Sequence, residues 1–117
     1  MKKIDKARLK DSQGRPLTQS LFLEIGYEED KAIFTLKDDD HEYKGNTYYS
    51  LKKLFIEMED PVEYAFANEY LLGWSHWQRL NNNKALTKHF QEWREELELS
   101  LRSQGARAII DQAADEK

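Results

Sequence analysis

Four basic side chains lie close together in the second half of the chain and could bind phosphate. Between positions 74 and 94 the only acidic residue is Glu92, and the basic residues are Arg79, Lys84, Lys88 and Arg94. Lys84 and Lys88 are one turn apart at a predicted helix start, where backbone N–H groups and the helix dipole also favour an anion. A solvated helix face has the same composition. The sequence therefore leaves two alternatives open, contact with DNA phosphates and a surface without a ligand.

The other chemically capable groups form no recognisable catalytic or metal site. The acidic run 38–42 carries the carboxylates that hard cations prefer, but a calcium loop begun at its first residue would need glycine at Tyr43 and glutamate at Tyr49. His76 and His89 lack the spacing that places two ligands on one helix face, so we expect both at the surface or its boundary. With no cysteine and no glycine-rich phosphate loop, we predict a protein that is not an enzyme and has neither cofactor nor metal.

Length and composition indicate one soluble domain with a modest core. The chain has 117 residues, of which 39% are hydrophobic and 12% aromatic. The net charge of −4 is unevenly distributed, because residues 1–15 hold six Lys or Arg against two Asp, whereas residues 24–42 hold eight Asp or Glu against two Lys. No run approaches the roughly 20 apolar residues of a membrane span, and no apolar signal core follows the first residues. We therefore expect a cytoplasmic protein without membrane contact.

The first part of the chain predicts an arm and a β-hairpin. Residues 1–19 form a basic arm without sustained apolar periodicity, either solvated or used to bind nucleic acid or a partner. In the hairpin region 20–48, the β-prone runs 20–25 and 32–36 are separated by a loop that contains glycine. A weaker extended piece surrounds residues 43–48, with a turn at Lys44, Gly45 and Asn46. Because an isolated hairpin is only marginally stable, it must pack on the helices that follow.

Residues 50–80 predict short helices. Ser50 is the expected N-cap of a helix over 51–58. Asp60 and Pro61 have the residue types of a helix start and predict a second helix, which Gly73 ends or bends. Its expected apolar stripe consists of Val62, Phe66, Tyr70 and Leu71. Ser75 is a plausible cap for a short third helix. A polar break at 81–83 then makes the pattern compatible with a helix-turn-helix.

A long amphipathic helix is predicted over residues 84–114. Its apolar residues recur at spacings of 4, 3, 4 and 4, as in Leu86, Phe90, Trp93, Leu97 and Leu101. Asn83 is its expected cap, and Gly105 is an expected interruption. At 1.5 Å per residue the helix would be about 45 Å long, more than so small a globule can cover. We therefore expect a homo-oligomer with an interface of Phe90, Trp93, Leu97 and Leu101.

The predicted fold class is α+β, mostly helical, with an N-terminal β-hairpin packed on three or four helices and a long C-terminal helix. Helical spacing of the tryptophans is what core packing produces, whereas stacking on a nucleic-acid base would require an exposed indole. The sequence does not decide whether Trp74 and Trp77 lie in the core or at the surface.

The helical half contains the stretches Phe55-Ile56-Glu57-Met58-Glu59-Asp60-Pro61-Val62-Glu63-Tyr64, Gly73-Trp74-Ser75-His76-Trp77, Glu92-Trp93-Arg94-Glu95-Glu96-Leu97-Glu98 and Leu101-Arg102-Ser103. Together they resemble small-terminase DNA-packaging proteins of tailed phages, in which a Gly-(Ser)-Trp-x-His-Trp stretch is followed by a Trp-Arg-x-Glu-Leu helix. The resemblance covers about residues 50–110. It implies a non-catalytic subunit that binds double-stranded DNA through segment 74–88, assembles into a homo-oligomeric ring and regulates the large terminase subunit in the host cell cytoplasm. The acidic run 38–42 fits no part of this pattern.

Two functional hypotheses follow. In the first, the chain is a DNA-packaging subunit whose Arg79, Lys84, Lys88 and Arg94 contact phosphates. In the second, it is a virus-encoded protein-interaction module that modulates a host protein through its acidic segment 24–42. The two hypotheses differ in which charged region is required.

Overall fold

The computed structural model describes the backbone of residues 4–115 and the side chains of residues 4–106. The fold is α+β and mostly helical. Two 3-10 turns, Lys6–Leu9 and Gln19–Leu21, precede strands β1 (Phe34–Thr35), β2 (His41–Tyr43) and β3 (Asn46–Ser50) and helices α1 (Leu51–Met58), α2 (Tyr64–Tyr70), α3 (Trp74–Asn81) and α4 (Lys84–Asp115). Strand β3 is central, parallel to β1 and antiparallel to β2. Within residues 4–115, no helix has the length and apolar character that crossing a membrane requires.

The β-hairpin lies later in the chain than the predicted runs 20–25 and 32–36. Those runs do not pair as a hairpin, because residues 19–21 form a 3-10 turn and Phe22 makes only an isolated parallel bridge with Phe34. The hairpin consists of β2 and β3, joined through Lys44 and Gly45, which both have positive φ (49° and 80°). Positive φ at both central residues is the geometry that matches the twist of antiparallel strands. Turn geometry, rather than β propensity, therefore decided where the hairpin forms.

The predicted basic arm packs on the core through two apolar residues, while most of its other residues are exposed. Leu9 is fully buried and Ile4 nearly so, and the Leu17 N–H donates to the Leu9 carbonyl over 2.8 Å. The Lys6 ammonium donates to the carbonyl of Leu71 over 2.6 Å and also to that of Asn68, at the end of α2. Of the two alternatives for the arm, a wholly solvated segment is thus wrong for residues 4–19, and residues 1–3 lie outside the described range. Its isolated apolar residues showed no period because they pack individually, not along one face.

Ser50 is the last residue of β3 and the N-cap of α1, as predicted. Its hydroxyl accepts from the Lys53 N–H over 3.1 Å and donates to the Lys37 carbonyl over 2.7 Å. The Asp40 carboxylate accepts from the Ser50 N–H over 2.8 Å. Because Ser50 ends β3 and α1 begins at the next residue, the strand and the helix are joined without any intervening loop. The Ser50 side chain is fully buried at this junction.

Helices α2 and α3 begin at different residues than predicted. The Asp60 carboxylate accepts N–H groups of the following turn, but α2 starts only at Tyr64, after Glu63 with φ 72°. Val62 therefore lies in the connection and is 70% exposed, outside the predicted stripe. The N-cap of α3 is Gly73 at φ 112°, not Ser75. At such a φ the absence of a Cβ avoids strain, and this is why glycine starts the helix.

An aromatic cluster forms the centre of the core. Phe55 packs edge-on against Phe66 with ring centroids 5.2 Å apart, and Phe90 lies 4.7 Å from Trp77 and 4.9 Å from Trp93. Such pairs stabilise a core beyond the burial of their area. Because α1, α2, α3 and α4 each contribute at least one ring, the cluster fixes the four helices relative to one another.

Helix α4 runs without a break past Gly105, where the sequence predicted an interruption. A single glycine in an exposed helix interior costs only about 1 kcal/mol relative to alanine, too little to end a helix of 32 residues. At 1.5 Å per residue α4 is about 48 Å long. The molecule measures 62 × 30 × 25 Å, so α4 must lie close to the long axis.

Candidate nucleic-acid interface

Helices α3 and α4 meet at a tight corner of two residues, Asn82 and Asn83. The Asn83 side-chain oxygen accepts from the Ala85 N–H over 2.9 Å, and its carbonyl accepts from the Leu86 N–H over 2.9 Å. Asn83 thus caps α4, as predicted. The cap fixes the direction in which the first turn of α4 leaves the corner.

Three of the four residues predicted to contact phosphate lie near this corner, and their charged groups are exposed and unpaired within the described part of the chain. Arg79 near the end of α3 and Lys84 and Lys88 in the first turns of α4 are all exposed. Among residues 4–106 none of the three has an ion-pair or hydrogen-bond partner for its charged group. We call Arg79, Lys84 and Lys88 the cationic corner. Its unpaired charges, together with the helix N-terminus, can bind an anion.

Arg94, the fourth predicted contact, is bound within the protein. Its Nε donates to Glu63 Oε2 over 2.7 Å, and its Nη2 donates to Glu63 Oε1 over 2.8 Å and to Asn81 Oδ1 over 2.5 Å. The guanidinium also lies over the Trp77 ring, 5.7 Å from the centroid. Three of the five N–H groups of the guanidinium are therefore already used within the protein. The cause is a long-range partner, since Glu63 lies 31 positions earlier in the chain.

The predicted subunit interface lies mostly inside the protein. Phe90, Trp93 and Leu97 are buried in the core, and only Leu101 is partly exposed. A buried side chain contacts a second subunit only if the core opens, so these three cannot form an interface in this fold. A surface for another copy along α4 would have to consist of Leu101 and outward-facing residues.

The tryptophans divide into two buried indoles and one exposed indole. Trp77 and Trp93 are buried, and the Trp77 Nε1 donates to Glu63 Oε1 over 2.8 Å. Trp74 is 39% exposed and packs against the exposed ring of Tyr64, with centroids 6.2 Å apart. Trp74 is thus the indole that remains available for contact with a ligand.

His76 is a buried core residue, contrary to the predicted position at the surface. Its Nδ1 accepts from the Leu72 N–H over 3.2 Å, so Nε2 carries the proton and donates to the Leu17 carbonyl over 2.6 Å. Burial lowers the pKa of His76 below its ordinary value. The Leu17 carbonyl opposes this effect, and the positive charges of Arg79 and Lys6 add to it. His76 therefore joins the N-terminal segment to the α2–α3 connection as a neutral imidazole.

The acidic run 38–42 pairs with the lysines of α1. Asp38 lies 2.9 Å from the Lys52 ammonium, which also lies 3.2 Å from Glu96, and Asp39 lies 3.2 Å from Lys53. Within the described residues, no group of three or more His, Asp or Glu side chains could hold a metal ion. The first two residues of the run, Asp38 and Asp39, therefore form ion pairs over the start of α1.

Comparison with protein-family models found no match, and comparisons with curated proteins and with solved structures found none either. Functional inference for this chain therefore depends on the geometry of its own residues.

Proposed function

We propose that the protein is a non-catalytic DNA-packaging subunit, similar to the small terminases of tailed phages, whose cationic corner binds the phosphates of double-stranded DNA. The observation that carries the proposal is a set of three exposed, unpaired cations, Arg79 at the end of α3 and Lys84 and Lys88 at the N-terminal end of the capped helix α4. The lysines of α1, by contrast, are paired with the acidic run. In this proposal the protein acts as a homo-oligomer with the large terminase subunit as its partner, in the cytoplasm of a host cell.

The charge along α4 limits where a duplex can lie. Lys84 and Lys88 face solvent in the first turns, but the exposed residues Glu92 and Glu95 follow. Glu92 is eight residues beyond Lys84, about 12 Å along the axis. A polyanion is attracted to the first segment and repelled by the second. The duplex should therefore cross α4 at its N-terminal end instead of running along it, which is compatible with a net charge of −4.

Binding by one protomer should be weak and strongly dependent on salt. Each phosphate that is neutralised contributes about −0.9 to the slope of log K against log salt, so three contacts give about −2.7. An oligomer presents several corners to one duplex, and the second contact then gains from the high effective concentration. Assembly is therefore part of the proposal as well as the corner.

The alternative, a protein-interaction module acting through segment 24–42, has less support from the geometry. The carboxylates of Asp38 and Asp39 are engaged with α1, and Asp40 holds the Ser50 N–H. Changing Asp40 would alter the start of α1, whereas the side chains of Asp38 and Asp39 remain 85% and 82% exposed. The alternative gains if Asp-to-Asn changes in this run abolish the biological effect while the cationic corner is dispensable.

The experiment compares Lys84→Glu/Lys88→Glu with the wild type by anisotropy titration of labelled duplex DNA at several salt concentrations. We expect weaker binding and a slope reduced in magnitude by about 1.8, because two phosphate contacts are lost. Light scattering should give the same assembly state. Lys31→Glu/Lys37→Glu carries the same charge change in the acidic segment and should affect binding far less. Unchanged affinity and slope in the first variant, or an equal loss in the control, would contradict the proposal.

A further inference from the structure

Glu63 has a strained backbone conformation, and its carboxylate accepts several hydrogen bonds. It is a non-glycine residue at φ 72°, 9% exposed, at the N-cap of α2. Its carboxylate accepts three hydrogen bonds, one from the Trp77 indole and two from Arg94. The left-handed conformation costs free energy for any residue with a Cβ, and such residues persist where the surrounding structure requires the arrangement.

The hydrogen bonds of Glu63 continue to the α3–α4 corner. Arg94 also donates to the side chain of Asn81, and the Asn81 side-chain amide donates to the Trp77 carbonyl over 2.7 Å. Asn81 is the last residue of α3, directly before the two-residue turn. The Thr87 hydroxyl lies 3.1 Å from the Asn81 carbonyl and 3.0 Å from the Asn83 carbonyl. One network thus links the start of α2, the end of α3 and the first turns of α4.

We infer that Glu63, Arg94 and Asn81 form a brace that positions the cationic corner without touching DNA. The inference rests on the proposed function. Phosphates on a duplex have fixed spacing, so Arg79 must stand at a set distance from Lys84 and Lys88 to contact them together. The brace fixes that distance because it ties the last residue of α3 to both α4 and α2. Arginine suits the centre because its planar fork gives two hydrogen bonds to the Glu63 carboxylate and leaves a further N–H for Asn81.

Two substitutions separate a positioning role from direct phosphate contact through their effect on DNA affinity. Glu63→Gln removes a negative charge, so electrostatics alone predicts tighter DNA binding, whereas loss of the brace predicts weaker binding. Arg94→Lys keeps the charge but loses the fork, so a phosphate contact would largely survive and a brace would not. For both variants we expect about tenfold weaker binding of duplex DNA with the salt slope of the wild type, because no phosphate contact is removed.

Asn81→Ala provides a third variant in case the changes at the buried carboxylate prevent folding. It deletes the link to the turn but leaves the Glu63–Arg94 pair and the aromatic cluster in place. Circular dichroism and cooperative unfolding should match the wild type, while DNA binding weakens at unchanged slope. Gln91→Ala, an exposed amide on the outer surface of α4, is the matched control and should bind as the wild type does.

The inference is overturned if folded Asn81→Ala and Glu63→Gln bind DNA as well as the wild type. It is equally overturned if Arg94→Lys keeps full affinity while Arg94→Met loses about 0.9 of salt slope, which would identify a phosphate contact. If the wild type binds no DNA, the proposed function fails. Hydrogen exchange at the Ala85 and Leu86 amides then tests separately whether the brace holds the first turn of α4 in place. Faster exchange in Asn81→Ala supports it, and equal exchange overturns it.

Discussion

Leu9→Ala tests directly whether the N-terminal segment belongs to the core. Leu9 is fully buried, and Leu-to-Ala changes at such sites cost about 2–5 kcal/mol, which combine lost transfer free energy with a residual cavity. Leu9 ends a single 3-10 turn, and we expect a loss of about 3 kcal/mol, within that range. That is a large fraction of the roughly 5–15 kcal/mol that stabilise a domain of this size.

Urea unfolding, followed by the fluorescence of the buried Trp77 and Trp93, measures the change. With a denaturant slope of about 1.5 kcal/mol per molar, a loss of 3 kcal/mol lowers the midpoint by about 2 M. Leu99→Ala is the matched control, because Leu99 lies on α4 and is 64% exposed. It should change stability by no more than about 0.5 kcal/mol.

A loss below about 1 kcal/mol in Leu9→Ala would refute the packing of this segment. The solvated arm that the sequence predicted requires that result, since an exposed leucine contributes little to folding. Equal effects of the two substitutions would have the same meaning. A change in the denaturant slope itself would instead indicate a different unfolded state.

Two further predictions concern His76 and Ser50. The folded-state pKa of His76 lies below its ordinary value, so on acidification the imidazole takes up a proton in the unfolded chain before it does so in the folded protein. The contribution of neutral His76 to stability should therefore be complete above about pH 7. Below about pH 6.5 the free energy of unfolding should fall by up to about 1.4 kcal/mol per pH unit. Urea midpoints between pH 7.5 and 5.5 measure this fall, and an equal fall in His76→Gln would contradict the assignment. Ser50→Ala removes the α1 cap and the donor to the Lys37 carbonyl, so it should cost about 2–3 kcal/mol and lower Tm by about 10 °C. Thermal unfolding by circular dichroism tests this with exposed Ser103→Ala as control, and a loss under about 0.5 kcal/mol would count against the cap.

Features that depend on neighbours in the chain were predictable from the sequence. The Ser50 and Asn83 caps follow from residue type beside a helical pattern, and the buried face of α4 follows from its apolar period. Both are short-range signals, since a cap acts within three residues and a helix face repeats every 3.6. The fold class could be predicted for the same reason.

Features that depend on distant partners were not predictable. A sequence identifies Arg94 as a cation but does not indicate that Glu63, 31 positions earlier, will lie beside it. Likewise the sequence around Leu9 does not indicate that this side chain is buried, because its burial depends on contacts of the segment with distant residues at the end of α2. The predicted position of the hairpin was wrong for a different reason. Beta propensity favoured the runs around Phe22 and Phe34, whereas the hairpin formed at the turn of Lys44 and Gly45, which the sequence had indicated in its weaker third piece.

The single unbroken rod of α4 carries the cationic corner at one end. From Lys84 to Asp115 it extends about 48 Å at 1.5 Å per residue, and its far half lies beyond the last core leucine, Leu97. A rotation of about 5° about one end displaces the other by about 4 Å at this length. A partner that binds the far half of α4 would therefore set the orientation of the cationic corner. Several copies bound through that half in one assembly would present their lysines to the same target.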